Sequence, residues 1–125
     1  MRAICFIQEV KNGDLTMRQQ ILICRKALRK LRWLCVQELY AQAGTEEQPL
    51  TLRPGVMDLL HAAAGGEADV LIVVDINHLH CGRPELEGLL ASLLQYGVHT
   101  FGVQCGWIEP GGRHWMVLPN YDSEV

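Results

Sequence analysis

Residues 70–74 read Val-Leu-Ile-Val-Val, and residues 75–81 continue as Asp-Ile-Asn-His-Leu-His-Cys. An unbroken run of aliphatic residues is typical of a strand that is buried on both faces, as in a parallel sheet. Open α/β sheets place their sites at the carboxyl ends of such strands. This stretch therefore predicts a central parallel strand, with the polar residues of a candidate site directly after it.

Strand-like and helix-like segments alternate on both sides of this stretch. Residues 2–8 form a second apolar run, and an apolar stripe from Met17 to Leu31 predicts a helix that Asp14 is placed to cap. Further strands are predicted at 33–40 and 98–104, and further helices after Arg53-Pro54-Gly55 and after Pro84. The alternation predicts an α/β fold with a mostly parallel central sheet, strand order 2-1-3-4, and helices on both faces.

The C-terminal part of the chain has a different character. Two apolar segments, 107–109 and 114–118, flank the turn sequence Pro110-Gly111-Gly112, which predicts a hairpin over 106–118. Its second strand would lie antiparallel at the edge of the sheet beside strand 4, followed by an acidic tail at 119–125. We expect one domain over residues 1–125, because 49% hydrophobic residues suffice for a single core of this size.

Charge and cysteine usage limit the possible functions. A net charge of -3 does not favour a protein that holds DNA by its own electrostatics, since such proteins usually carry a basic excess. The five cysteines are odd in number and include no Cys-x-x-Cys pair, which favours core thiols in a reducing compartment. No apolar run approaches membrane-spanning length. We therefore expect a cytoplasmic protein without a membrane segment and without a cofactor.

From residue 2 to residue 105, the order of elements resembles the N-terminal catalytic domain of serine recombinases, the resolvase and invertase family. The resemblance rests on the apolar first strand, a glutamine early in the first helix (Gln19 or Gln20), Arg53-Pro54-Gly55 at the second helix, and the segment around 70–95. It implies a resolvase-like three-layer fold. In that family a serine ends the first strand and attacks a DNA phosphodiester, while arginines clamp the scissile phosphate.

The residues that carry this chemistry in the family are replaced here. The family's first strand ends Tyr-x-Arg-Val-Ser, and the matching arginine and serine positions hold Ile7 and Glu9. After the third strand the family reads Asp-Arg-Leu-(Gly or Ser)-Arg, and the matching positions hold Asn77, His78 and Cys81. Phosphoryl transfer needs an activated nucleophile and cationic clamps. The resemblance thus predicts a recombinase-like fold without strand-exchange activity.

The same polar cluster allows an alternative reading. Glu9, Asp75, His78, His80 and Cys81 include ligand types that suit zinc, so a small metal-dependent or acid–base enzyme using Glu9, His78 and His80 is the rival hypothesis. Its ligands would have to come together from two strands. We regard these residues as replacements at a lost active site and expect no bound metal.

The leading hypothesis from the sequence is a catalytically inactive, recombinase-like protein-binding or regulatory module, with an expected link to DNA recombination or mobile elements. The family's long dimerisation helix and helix-turn-helix do not follow Cys105 in the sequence given, so we expect no DNA recognition by this chain alone. The expected partner is a second copy or a related protein. The predicted interface residues are Trp107, Trp115 and Met116, which form an apolar edge.

Overall fold

Five strands form one mixed sheet in this computed structural model, which describes residues 1–110 of the chain. The strands are β1 (Arg2–Gln8), β2 (Leu34–Ala41), β3 (Val70–Val73), β4 (His99–Gly102) and β5 (Gly106–Ile108). The helices are α1 (Met17–Leu31), α2 (Val56–Ala64) and α3 (Arg83–Gln95), with single 3-10 turns at Thr45–Glu47, Leu50–Leu52 and Ile76–Leu79. Among residues 1–110, none of the helices has the length and apolar character needed to cross a membrane.

The order of strands across the sheet is β2-β1-β3-β4-β5. The first four pair in parallel, which confirms the predicted order 2-1-3-4 and the predicted α/β class. β5 pairs antiparallel with β4, so the predicted antiparallel edge strand is confirmed as well. The sheet therefore has its two longest strands at one side and a short hairpin at the other.

The segment that forms the edge strand differs from the expected one. We expected β4 to run to Gln104 and residues 114–118 to return beside it, but β4 ends at Gly102 and the chain returns at once as β5. A Cβ at Gly102 would lie 2.4 Å from the Cys105 sulfur, and Gly106 has a φ of 81°, so glycine at both positions permits this tight turn. The expected strand 114–118 lies outside the described residues.

The sheet separates two apolar cores. Side chains of β1 alternate between them, because successive residues of a strand point to opposite faces. Ala3, Cys5 and Ile7 pack with α1, whereas Ile4 and Phe6 pack with α2 and α3. β3 contributes to both cores in the same way. The result is a three-layer arrangement that buries β1 and β3 on both faces.

The sequence suggested Asp14 as the N-terminal cap of α1, but the cap is Thr16. The Thr16 hydroxyl accepts from the Gln19 amide at 3.1 Å, and the Gln19 side-chain oxygen accepts from the Thr16 amide at 2.8 Å. This reciprocal pair is a capping box. Two good capping residues lie within three positions, and the extended backbone of Thr16 decides between them. Asp14 is left exposed at the edge of the sheet.

Candidate functional site

A cavity of about 290 Å³ lies at the carboxyl ends of β1 and β3, beside the start of α1. Three stretches of the chain form its wall: the end of β1, the loop before α1, and the turn after β3. The lining residues are Gln8, Val10, Gly13, Asp14, Leu15, Gln20, Asp75, Asn77, His78 and His80. The cavity therefore lies at the carboxyl ends of the central strands, where the sequence predicts a candidate site.

The turn after β3 shapes one wall of this cavity. Asp75 accepts from the Asn77 amide at 3.4 Å and its main-chain oxygen accepts from the His78 amide at 3.1 Å, which closes the 3-10 turn. His80 ends the turn with a φ of 48°. Asn77 Oδ1 and His78 Nδ1 are buried, and neither has a hydrogen-bond partner within residues 1–110. Buried polar atoms are usually paired, so these two are exceptions at this turn.

Two of the five residues at the family's catalytic positions face this cavity, namely Asn77 and His78. Ile7 does not, because its side chain is fully buried in the core between the sheet and α1. Glu9 also turns away, and its carboxylate accepts from the Ala43 amide at 3.3 Å. Both positions thus contribute to folding contacts and not to the cavity.

Cys81 is the third position that lies outside the cavity lining. Its side chain packs against the apolar core under α2 and α3. Burial raises the pKa of the Cys81 thiol to about 11, although the nearby positive charge of Arg53 acts in the opposite direction. At neutral pH this sulfur is therefore a protonated, weakly polar core group and not a thiolate ligand.

Arg53 is a site residue that sequence reasoning missed. It had been assigned only to the start of the second helix, but α2 begins at Val56 and the Arg53 side chain is 2% exposed. Its guanidinium donates to five acceptors: the Gln8 side-chain oxygen at 3.2 Å, the main-chain oxygens of Gln48 at 3.0 Å, Glu46 at 2.9 Å and His80 at 2.7 Å, and the main-chain oxygen of Leu79. Burial lowers the pKa of Arg53, and the nearby carboxylates of Glu85 and Glu46 act in the opposite direction. The only sequence signal for it was the Arg-Pro-Gly match.

Two glutamines connect this arginine to the cavity. Gln8 Nε2 donates to Thr45 Oγ1 at 3.1 Å, and Gln20 Nε2 donates to the Gln8 main-chain oxygen at 2.8 Å. Both glutamines are buried. The sequence left open whether Gln19 or Gln20 matches the glutamine that the family carries early in its first helix. Gln20 lines the cavity, whereas Gln19 serves the helix cap. Gln8 and Gln20 thus fix the floor of the cavity.

The charge of the cavity lining is negative. Asp14 and Asp75 contribute carboxylates, and among the described residues that line the cavity none is lysine or arginine. Arg53 lies behind Gln8, and its guanidinium is engaged by the five acceptors named above. The lining therefore offers acceptors and negative charge, the opposite of a phosphate-binding site.

The proposed metal ligands do not assemble into a coordination group. Within residues 1–110, no set of three or more His, Cys, Asp or Glu side chains is placed to hold a metal ion. Asp75, His78 and His80 share the cavity, but Glu9 and Cys81, the remaining candidates, face elsewhere. The geometry does not favour a metal-dependent or acid–base enzyme built on Glu9, His78 and His80.

The expected interface residue Trp107 lies on β5 and is 43% exposed. Its indole contacts the ring of Trp33 with centroids 5.6 Å apart and the ring of Phe101 with centroids 5.2 Å apart. These three rings form an aromatic cluster at the edge of the sheet that is partly open to solvent. Trp115 and Met116, the other two expected interface residues, lie outside the described residues.

Comparison with known proteins gives a match at the level of structure only. No family model and no curated protein sequence matches the chain. The N-terminal catalytic domain of TP901-1 integrase aligns with a TM-score of 0.75 over 96% of this chain and 89% of that one, at 10% identity. A resolvase family site-specific recombinase from Streptococcus pneumoniae aligns with a TM-score of 0.72 over 99% and 86%, also at 10% identity.

A third similar structure is the C-terminal catalytic domain of ISC1926 TnpA, an IS607-like serine recombinase. It aligns with a TM-score of 0.66 over 82% of this chain and 70% of that one, at 20% identity. At such identities the likeness shows the fold alone. The resolvase-like fold expected from the sequence is thereby confirmed.

Proposed function

We propose that this chain, whose fold is that of serine recombinase catalytic domains, is catalytically inactive and works as a protein-binding or regulatory module. The similar structures include an integrase, a site-specific recombinase and a TnpA protein. We therefore propose that the chain acts in a process linked to DNA recombination or to mobile elements. Activity itself depends on the residues of the site and not on the fold.

The observation that supports inactivity is the composition of the cavity at the carboxyl ends of β1 and β3. Attack on a phosphodiester needs a hydroxyl nucleophile and cations for the developing negative charge. Within residues 1–110 the one serine, Ser92, lies on α3 and donates to the Gly88 main-chain oxygen at 3.0 Å. Thr16 is engaged in the α1 cap. Neither hydroxyl lines the cavity.

Arg53 cannot take the place of the missing clamp. To reach a phosphate it would have to leave acceptors at Gln8, His80 and three further main-chain carbonyls. The Gln8 side-chain oxygen and the Leu79 main-chain oxygen would then be buried acceptors without this partner, which is unfavourable by about 1–3 kcal/mol for each. We therefore propose that Arg53 stabilises the fold around the cavity and does not take part in a reaction.

The partner surface that we propose is the β5 edge of the sheet. Among the described strands β5 pairs only with β4. The half-exposed indole of Trp107 lies on one face of β5, against the rings of Trp33 and Phe101. An edge strand whose outer side pairs with no other strand of residues 1–110, and which carries an aromatic side chain, is a typical surface for protein association. A homodimer across this edge is the simplest arrangement, because two-fold pairing is the commonest form of self-association.

The test of inactivity is covalent trapping on DNA. The purified protein is incubated with supercoiled and nicked DNA that carries recombination sites from a mobile element, and denaturing gels and mass spectrometry then search for a phosphoserine adduct. We expect neither an adduct nor cleavage. A DNA adduct that is lost in Ser92→Ala or Ser123→Ala, but retained in a Thr51→Ala control, would overturn the proposal.

A further inference from the structure

We propose that residues 114–124 of this chain bind in an open groove between α1 and β4, with their apolar side chains inside the groove and their carboxylates against two lysines that line it. The groove has a volume of about 440 Å³. The segment 114–124 lies outside the described residues. The inference goes beyond the proposed function, because it concerns a contact within one chain.

The first argument is the apolar surface of the groove. Ile23, Ala27 and Leu31 are spaced four residues apart and therefore form one row along α1. The other side of the groove consists of Phe101 on β4 and Val103 directly after it. Leu31 is 38% exposed, and the other four side chains are partly buried. Contact with a second apolar surface would remove these side chains from water, which is favourable.

The second argument is the charge of the groove. Lys26 and Lys30 line it, both are exposed, and neither makes an ion pair or a hydrogen bond within residues 1–110. They lie one helical turn apart, so their like charges repel each other. The helix itself supplies no acidic residue to balance them. A carboxylate beside the two lysines would relieve this repulsion, so the expected occupant is both apolar and acidic.

The segment 114–124 has both properties. Residues 115–118 read Trp-Met-Val-Leu, and Asp122 and Glu124 follow without any lysine or arginine between. In an extended segment alternate side chains point to the same side, so Trp115 and Val117, or Met116 and Leu118, would enter the groove together. A volume of about 440 Å³ is that of a site that encloses a small molecule, which is enough space for such a pair.

The third argument is that β5 occupies the place expected for this segment. The sequence predicted residues 114–118 as the antiparallel neighbour of strand 4, but that neighbour is Gly106–Ile108. The apolar segment therefore needs another apolar surface. The groove is adjacent to β5, because the ring of Phe101, which lines the groove, lies 5.2 Å from the indole of Trp107 between centroids.

The segment can reach the groove. Trp115 follows Trp107 by eight residues, and eight residues extend up to about 26 Å. The turn sequence Pro110-Gly111-Gly112 between them allows the chain to change direction. A short tether also gives the segment an effective concentration in the millimolar range. It would therefore occupy the groove ahead of an unattached protein with a similar sequence.

The experiment is site-specific photo-crosslinking in the whole chain. Lys30→p-benzoylphenylalanine places the probe at the groove, where Lys26 keeps one positive charge, and Arg29→p-benzoylphenylalanine is the matched control on the neighbouring exposed position of α1. Trypsin cleaves after Arg113 and so separates the segment from β5, and mass spectrometry then identifies the crosslinked peptides. We expect at least fivefold more crosslinks to residues 114–124 from position 30 than from position 29. A smaller ratio, or no such crosslink, overturns the proposal.

Isotope mixing tests whether the occupant belongs to the same chain. Equal amounts of ¹⁴N-labelled and ¹⁵N-labelled protein with the probe at position 30 are unfolded together in urea and refolded before irradiation. Crosslinked peptides of a single isotope composition support a contact within one chain. Crosslinked peptides that combine the two isotopes would show that a second copy supplies the segment, which overturns the proposal.

Asp122→Lys together with Glu124→Lys should lower the crosslink yield from position 30 at least threefold, because the segment then has the same charge as Lys26. The matched control is Asp58→Lys together with Glu67→Lys, which changes the net charge equally at exposed positions outside the groove lining. Circular dichroism verifies that each variant is folded. An equal loss in the control, or no loss in the segment variant, overturns the proposed charge pairing and with it the assignment of this segment to the groove.

Discussion

The guanidinium of Arg53 donates a 2.7 Å hydrogen bond to the main-chain oxygen of His80, across 27 residues of sequence. This bond ties the segment before α2 to the turn that forms one wall of the cavity. The same side chain also reaches Gln8 at the end of β1. One buried cation therefore holds together the end of β1, the segment before α2 and the turn after β3, which meet at the carboxyl ends of the strands.

Arg53→Lys should lower the free energy of unfolding by about 3 kcal/mol, because a lysine cannot serve five acceptors and would leave buried carbonyls unpaired. Urea denaturation followed by circular dichroism measures the change. The control is Arg29→Lys on the exposed face of α1, which should change the value by less than about 0.5 kcal/mol. Equal effects in the two variants would show that the Arg53 bonds contribute little.

Thr16→Ala should destabilise the protein by about 1 kcal/mol, since it removes the hydroxyl that caps α1. Thr16→Ser keeps the hydroxyl and should restore most of the loss. Thermal unfolding of the three proteins, with Thr51→Ala as an exposed control, tests this. If Asp14→Ala proved more costly than Thr16→Ala, the cap would have to be reassigned.

Asp69 should titrate well below the ordinary range of an aspartate. Hydrogen bonds from the Arg2 side chain and amide lower the pKa of Asp69 to about 2. Because the folded-state pKa lies below the unfolded value near 3.8, the pair stabilises the fold above about pH 4, and this contribution is lost as the pH falls toward 2. The stability difference between the wild type and Asp69→Asn should therefore shrink over that interval.

A carboxyl-detected NMR titration gives the pKa of Asp69 directly. A midpoint near 3.8 would show that the ion pair with Arg2 does not persist in solution.

Cys81 and Cys105 should react slowly with iodoacetamide. Burial raises the pKa of each thiol to about 11, so little thiolate is present at pH 8. We expect alkylation roughly 100-fold slower than in the urea-unfolded chain, rising about tenfold per pH unit toward pH 11. Peptide mass spectrometry resolves the two sites. Equal rates in folded and unfolded protein at pH 8 would contradict the burial of these thiols.

Trp107→Ser should weaken self-association at least tenfold if the β5 edge forms a dimer. Light scattering over a concentration series gives the dissociation constant, and Tyr96→Ser is the control because Tyr96 is 51% exposed and lies beyond α3. Since Trp107 also contacts Trp33 and Phe101, urea denaturation must show that the variant is folded. A wild-type chain that is monomeric at every concentration would end the dimer proposal.

The central sheet was predictable because its strands are buried on both faces. In a chain of this size, the apolar runs at 2–8 and 70–74 are best explained as buried strands. Because amphipathic helices lie between the strands, parallel crossover connections are expected. The strand order followed from these two features. The exact edge strand did not, since the turn after Gly102 depends on space at the Cys105 sulfur, which no local pattern reveals.

The site was predictable in position but only partly in composition. Strand alternation puts Ile7 on the α1 face and Gln8 on the opposite one, yet the sequence alone did not show that Gln8 would be the site residue. Arg53 contacts residues 26 and 45 positions away. Such long-range bonds leave no periodic signal, so its role became visible only in three dimensions.

Asp14 and His80 are exposed at the mouth of the cavity, whereas Gln8, Gln20 and Arg53 beneath them are buried and bonded to the main chain. The part of the cavity that hydrogen bonds hold in place is thus separate from the part that is open to solvent. Substitution of the exposed Asp14 would alter the open side of the cavity and leave the hydrogen bonds of Gln8, Gln20 and Arg53 in place. The outer lining of this cavity can therefore change in evolution while the hydrogen bonds that hold its floor are kept.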